Sequence, residues 1–203
     1  MKKITLIITI LLLALTSCSD DESMDADSSP VQTDPDEPSD PETNSDFTLA
    51  SNGVTCICND ADFGDTGTLI INDQEKTFTK RTRQELRSIV FDHPSSSKIP
   101  LTCTSGITDM SGMLVYYPPP LSNDPPNPFD QSLKHWDVSN VTDMSEMFKD
   151  AENFNKPLNI WDVSNVTNMS SMFEGATDFD SDISNWDVSN VNDMDSMFRD
   201  APF

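Results

Sequence analysis

The segment Trp136-Asp137-Val138-Ser139-Asn140-Val141 occurs three times without change, at 136–141, 161–166 and 186–191. Successive occurrences are 25 residues apart, and the 3 tryptophans of the chain all begin this hexapeptide. A period of about 20–50 residues is typical of arrays in which one unit cannot bury its apolar face alone, whereas stacked units form a continuous core. We therefore expect residues 104–203 to form a repeat solenoid.

Each copy has apolar residues at two spacings. Trp136 and Val138 alternate across a polar residue, which favours a short strand with one apolar face. From Val141 onward, apolar residues follow at i+3, i+6, i+7 and i+10, which is the pattern of one helix face. Asn140 and Asp143 suit the start of such a helix as capping residues, as do their counterparts in the other copies. Each copy is predicted to form a strand, a tight corner, a helix and a return.

Stacking the copies would place these apolar side chains in one core. Phe154 and Phe179, on the returning segments, could close it. The predicted core residues, copy by copy, are Trp136, Val138, Val141, Met144, Met147, Phe148, Trp161, Val163, Val166, Met169, Met172, Phe173, Trp186, Val188, Val191, Met194, Met197 and Phe198.

The segment Ile107–Leu114 matches the helix half of a degenerate first copy that lacks the tryptophan. Val141 follows Ile107 by 34 residues instead of 25, and the intervening Pro-rich insertion, 115–128, is expected to loop out. The sequence stops in mid-repeat at Phe203. Because a solenoid without a capping unit exposes its core, we expect this chain to be a fragment or a truncated product.

The N-terminus has the organisation of an export signal. Lys2 and Lys3 precede the apolar segment Ile4–Leu15, which at about 1.5 Å per residue is too short for a hydrocarbon core of about 30 Å. The following Leu15-Thr16-Ser17-Cys18 resembles the lipobox of bacterial lipoproteins. That resemblance implies a signal peptide at 1–17 and a lipidated Cys18, whose two or three acyl chains would form a stable membrane anchor. The alternative is a soluble secreted protein cleaved near a chance cysteine.

Acidic residues dominate the segment that follows. The chain carries 35 Asp and Glu against 12 Lys and Arg, a net charge of −23, so nucleic acid is not an expected partner. Residues 18–46 contain almost nothing apolar and are predicted to be a disordered, extended tether. The acidic run Ser19–Glu22 resembles the surface-export signal of Bacteroidetes-type lipoproteins, which implies an outer-membrane lipoprotein facing outward. These residues could also be merely the start of the acidic tether.

The combined repeat pattern W-D-V-S-N-V-T-[DN]-M-x-x-M-F-x-x-A-x-x-F resembles that of BspA-type leucine-rich-repeat surface proteins, a repeat also found in mycoplasma surface lipoproteins. The resemblance covers about residues 53–203 and the lipidated start. It implies an α/β repeat solenoid, leucine-rich-repeat-like, with short parallel strands, short helices and a small N-terminal cap unit. It also implies adhesion-like roles.

Residues 47–103 are assigned to that cap. Thr68–Ile71 and Thr77–Lys80 are strand-like and suggest a hairpin, while Thr82 and Glu85 form a capping box for a helix from Arg83 to about Phe91. In an exported protein a disulfide is the default, and a Cys58–Cys103 bridge would tie the cap to the first copy. Cys56 is then left without a firm role.

Catalytic and metal-binding patterns are weak. The sequence lacks G-x-S-x-G, H-E-x-x-H and a phosphate-binding glycine loop. A metal set of the cysteines with His93 matches no usual zinc spacing. His135 is expected at an exposed, variable position. Asp178-x-Asp180-x-Asp182 has the opening spacing of a calcium loop, but Ile183 and Ser189 replace its glycine and glutamate.

A membrane-anchored repeat surface favours a binding module. We expect an adhesion-like lipoprotein with an extracellular protein or glycan as ligand, no cofactor, no metal and no enzymatic activity. A passive surface spacer is the alternative, and a secreted hydrolase is a more distant one.

Overall fold

The computed structural model describes residues 44–115, 127 and 129–202. The predicted signal peptide at 1–17, Cys18, most of the acidic tether and nearly all of the Pro-rich insertion lie outside the described residues. Pro41–Phe203 forms one compact unit.

The N-terminal part of this unit contains two small sheets of short strands. β1 pairs with β2 antiparallel, and a second sheet has the order β3-β4-β5, with β3 and β4 antiparallel and β4 and β5 parallel. Asn72 and Asp73 link β3 to β4 in a tight turn with positive φ at both residues, a conformation that Asn and Asp tolerate better than most. The strands are β1 (Thr48–Leu49), β2 (Cys56–Ile57), β3 (Thr66–Ile71), β4 (Gln74–Lys80) and β5 (Thr102–Cys103).

The predicted capping-box helix is confirmed as α1 (Arg83–Asp92). The Thr82 hydroxyl accepts a hydrogen bond from the Glu85 N–H, and the Glu85 carboxylate accepts one from the Thr82 N–H in return. Leu86 and Val90 on its inner face are buried and join the core that continues through the repeats.

The α/β repeat solenoid predicted for residues 104–203 is wrong, and so is its leucine-rich-repeat-like arrangement of strands and helices. In the part of the chain that the structure describes, α1 is the one helix, and it precedes the repeats. The copies consist of turns, joined side by side through isolated parallel bridges from Asp109 to Asp143, from Asp143 to Asn168 and from Asn168 to Asp193.

Backbone hydrogen bonds explain why no helix forms after Val141. Glu146 and Asp150 both have a φ of 57°, in the left-handed region, and a right-handed helix cannot continue through them. The N–H of Met147 donates to the Met144 carbonyl three residues back, as in a turn, while the N–H groups of Met144 and Phe148 donate to the next copy. Because the helical i to i−4 bonds are replaced, Asn140 and Asp143 have no helix to cap.

The interior of the stack is aromatic. Phe148 and Phe173 lie parallel with ring centroids 5.2 Å apart, and Phe154 stacks on Phe179 at 6.2 Å. All predicted core residues of the first two Trp-containing copies are buried, as are Trp186 and Met197 of the third. The assignment of Val188 and Met194 to the core is wrong, because they are exposed, and Val191 and Phe198 are only half-buried. The equivalent positions of the two earlier Trp-containing copies are buried.

Candidate functional site

The Trp-Asp-Val-Ser-Asn-Val segments place tryptophan inward and polar groups outward. The indole N–H of Trp161 donates to the Leu133 carbonyl at 3.2 Å, so the ring is anchored to the preceding copy. On the outside, the Asn165 amide donates to the Ser139 carbonyl at 2.7 Å, and Asn190 repeats this bond to Ser164 at 2.7 Å. The array therefore presents the same polar side chains again in each copy.

A charged column runs along another line of the stack. Lys149, Glu174 and Arg199 occupy equivalent positions in successive copies and alternate in sign. The buried Glu174 carboxylate pairs with Arg199 on one side and with Lys149, at 3.4 Å, on the other. Opposite charges at equivalent positions of neighbouring copies favour this register of the copies.

The structure joins Cys58 and Cys103 in a disulfide. Cys56 is free and buried, and its N–H donates to the His135 carbonyl. Burial raises the pKa of the Cys56 thiol to about 12, and the negative charge of Asp137 adds to the shift. At neutral pH this cysteine is therefore a thiol and a poor nucleophile.

The interpretation of His135 as an exposed residue is wrong. It is 3% exposed, packs edge-on against Phe78 and lies with Nδ1 2.7 Å from the Val54 carbonyl oxygen. Burial lowers the pKa of its imidazole, and the nearby Lys76 and Lys134 ammonium groups lower it further. The neutral ring thus has a structural role, in which Nδ1–H donates to Val54 and holds this segment against the first Trp-containing copy.

No group of three or more His, Cys, Asp or Glu side chains suited to a metal ion occurs in residues 44–115, 127 and 129–202. Two of the aspartates with calcium-loop spacing form hydrogen bonds within the protein. The N–H of Asp180 donates to the Asn155 side chain, and the Asp182 carboxylate accepts the N–H of Ser184. Hydrogen bonds from the N–H and the side chain of Ser184 lower the pKa of Asp182. His93 lies exposed at the end of α1.

A cleft of about 220 Å³ lies where the Ala50–Ile57 segment meets the first two Trp-containing copies. It was not anticipated from the sequence, because its walls come from segments about 85 and 110 residues apart. Its lining includes Asn52, Thr55, Trp136, Asp137, Trp161 and Asp162. The lining thus combines tryptophan and aspartate residues; the two tryptophans are almost fully buried, whereas Asp162 is exposed.

Asp137 is the buried carboxylate of this cleft, 4% exposed. One of its oxygens accepts hydrogen bonds from the Ser139 N–H and hydroxyl, and the other accepts the Ser105 hydroxyl at 2.6 Å. Asp162 and Asp187 hold the same place in the next two copies and are exposed. Of the three Trp-containing copies, only the first thus has a buried, hydrogen-bonded carboxylate at this position.

Comparison with known proteins extends these observations. Among the described residues, no helix has the length and apolar character needed to cross a membrane. No curated protein and no solved structure matches the chain. A family model described as "Mycoplasma protein of unknown function, DUF285" matches residues 86–203, which is more than half of the chain and includes most of α1 and every repeat copy. The chain therefore belongs to the DUF285 family.

Proposed function

We propose that this protein is a surface-displayed lipoprotein whose repeats bind an extracellular protein or glycan in an adhesion-like manner, without catalysis. The observation that carries this proposal is the row of exposed asparagines, one in each Trp-containing copy: Asn140, Asn165 and Asn190. The amides of Asn165 and Asn190 bond to the preceding copy, which holds these side chains at regular intervals. A surface with equivalent groups at regular intervals suits multivalent contact with a large ligand.

The lipobox-like start and the acidic tether support a location on the outer face of a bacterial outer membrane, attached through lipid on Cys18. The repeat motif supports a relationship with BspA-type surface proteins in particular. The α/β solenoid that this resemblance implied is not part of the proposal. The chemistry of the described residues supports a non-enzymatic role, because the buried thiol of Cys56 and the buried imidazole of His135 are poorly placed for nucleophilic catalysis.

The anchor predicts a specific modification. Cys18 is expected to incorporate radiolabelled fatty acid in cells, and Cys18→Ala is expected to abolish the label, since the thiol is the acceptor of the diacylglyceryl group. Cys56→Ala is the matched control and should retain full labelling. An unmodified mature N-terminus at another residue would contradict the lipoprotein assignment.

The binding role predicts saturable attachment of the full chain to a macromolecule in a screen of extracellular matrix proteins and surface glycans. Because the net charge is −23, we expect a neutral or basic partner and binding that weakens as salt concentration rises. A panel of hydrolase substrates run in parallel should show no turnover. Turnover that is lost on mutating His93 or Cys56 would overturn the proposal. Absence of both binding and turnover would favour a passive spacer.

A further inference from the structure

We infer that the cleft lined by Asn52, Trp136, Asp137, Trp161 and Asp162 binds a single cationic side chain, the ammonium of a lysine or the guanidinium of an arginine, on a protein partner. This inference rests on the proposed binding function and commits it to a basic protein and to one site. It does not follow from the repeat motif, since the site uses the Ala50–Ile57 segment, which lies before the repeats.

The size of the cleft limits the ligand. Its volume of about 220 Å³ is below the range of about 300–1,000 Å³ that is usual for small-molecule sites. One long side chain fits such a space, whereas an oligosaccharide or a nucleotide does not. The site is therefore suited to an anchor residue that projects from a larger partner.

The charge of the cleft selects a cation. Asp137 is buried, yet no lysine or arginine among the described residues forms an ion pair with it; its hydrogen-bond donors are Ser139 and Ser105, which are neutral. Buried carboxylates in proteins are normally compensated by a positive charge. Within this same chain, the buried Glu174 has two such partners, Lys149 and Arg199. Asp137 differs from Glu174 in lining a cleft that a cation can enter from outside.

The remaining walls suit the rest of such a side chain. Trp136 and Trp161 belong to the lining of the cleft and are 1% and 5% exposed, so each offers a bound side chain only a small contact area. Aromatic contact favours both the apolar stem of lysine or arginine and its charged end. Asp162 is exposed and lines the cleft as well, so it supplies a second carboxylate within reach of solvent. Two aspartates and two tryptophans thus contribute to the lining of one small space.

The three tryptophans allow the site to be tested directly. The full chain, labelled with 5-fluorotryptophan in detergent micelles, would be titrated with the N-acetyl N-methylamides of lysine and arginine and with the neutral glutamine analogue. We expect saturable ¹⁹F shifts for Trp136 and Trp161 with the two cationic probes and no shift for Trp186, which does not line the cleft. Substituting each tryptophan by phenylalanine assigns the three resonances.

Asp137→Asn is expected to weaken probe binding by about tenfold or more, because a charge-assisted contact is lost while the side-chain shape is kept. Asp162→Asn, at an exposed residue, tests the site without affecting a buried group and should weaken binding less. Asp187→Asn is the matched control in the third copy and should leave binding unchanged.

Three outcomes would overturn the inference: no saturable shift at Trp136 or Trp161, equal shifts for the glutamine analogue, or unchanged affinity in Asp137→Asn. If a macromolecular partner is found in the binding screen and the probes nevertheless fail, this site is wrong while the proposed function stands. Probe binding at the cleft together with a negative macromolecular screen would support the site and count against the adhesion-like role.

Discussion

Trp161→Ala is expected to unfold the repeat array at denaturant concentrations that leave the unaltered chain folded. The ring is 5% exposed, its centroid lies 6.0 Å from that of Phe148, and its N–H is bonded to the Leu133 carbonyl. Truncating a buried tryptophan to alanine costs about 3–5 kcal/mol, a large part of the roughly 5–15 kcal/mol by which a domain is stable. Urea unfolding of the full chain, followed by circular dichroism, measures the loss.

A second variant of Trp161 separates the contribution of its ring from that of its hydrogen bond, and a variant at another aromatic residue serves as a control. Trp161→Phe keeps an aromatic ring but removes the N–H, so we expect a smaller loss than for alanine, including about 1 kcal/mol for the hydrogen bond. Phe63→Ala is the control for a large aromatic side chain that is 62% exposed, and it should leave the unfolding midpoint nearly unchanged. An unaltered curve for Trp161→Ala would remove this tryptophan from the core.

Loss of the Cys58–Cys103 disulfide is the second large expected effect. The bridge spans a sequence separation of 45 residues, for which the chain-entropy model gives a stabilisation of about 4 kcal/mol. The double variant Cys58→Ala/Cys103→Ala should therefore unfold at a lower urea concentration. Reductant should lower the midpoint of the unaltered chain and have no effect on the double variant.

Cys56→Ala is the control for this experiment, because it removes a buried thiol and leaves the bridge intact. We expect it to cost less than loss of the bridge and to keep the response to reductant. Non-reducing peptide mapping should recover a Cys58–Cys103 peptide. Recovery of a Cys56–Cys58 peptide, or of three free thiols, would contradict the pairing.

Local sequence was a good guide where a short segment determines its own structure. The Thr82/Glu85 capping box marked the start of α1, since both partners lie within one turn of the helix. The hairpin of β3 and β4 was also indicated by sequence, although its strands extend to Thr66 and Gln74 and leave a two-residue turn. In both cases the decisive hydrogen bonds join residues close together in the chain.

The predicted repeat helices failed because their apolar spacing is ambiguous. Apolar residues at i, i+3, i+6, i+7 and i+10 fit a helix face, but consecutive turns closed by bonds three residues apart give the same inward positions. What separates the two is the positive φ of Glu146 and Asp150 and the bonding of Met144 and Phe148 to the next copy. Neither feature is visible within a single copy, because each depends on the neighbour that accepts the hydrogen bonds.

The three copies of the hexapeptide distinguish the features that sequence determines from those that depend on the tertiary structure. Sequence alone determined the 25-residue period and the inward side chains of the first two Trp-containing copies. It could not distinguish Asp137 from Asp162 and Asp187, because all three stand in the same six residues. Only the folded chain buries Asp137, whose carboxylate accepts the hydroxyl of Ser105 and lies beside the Ala50–Ile57 segment. The candidate site arises from that long-range contact, which buries one carboxylate and leaves its two counterparts in solvent.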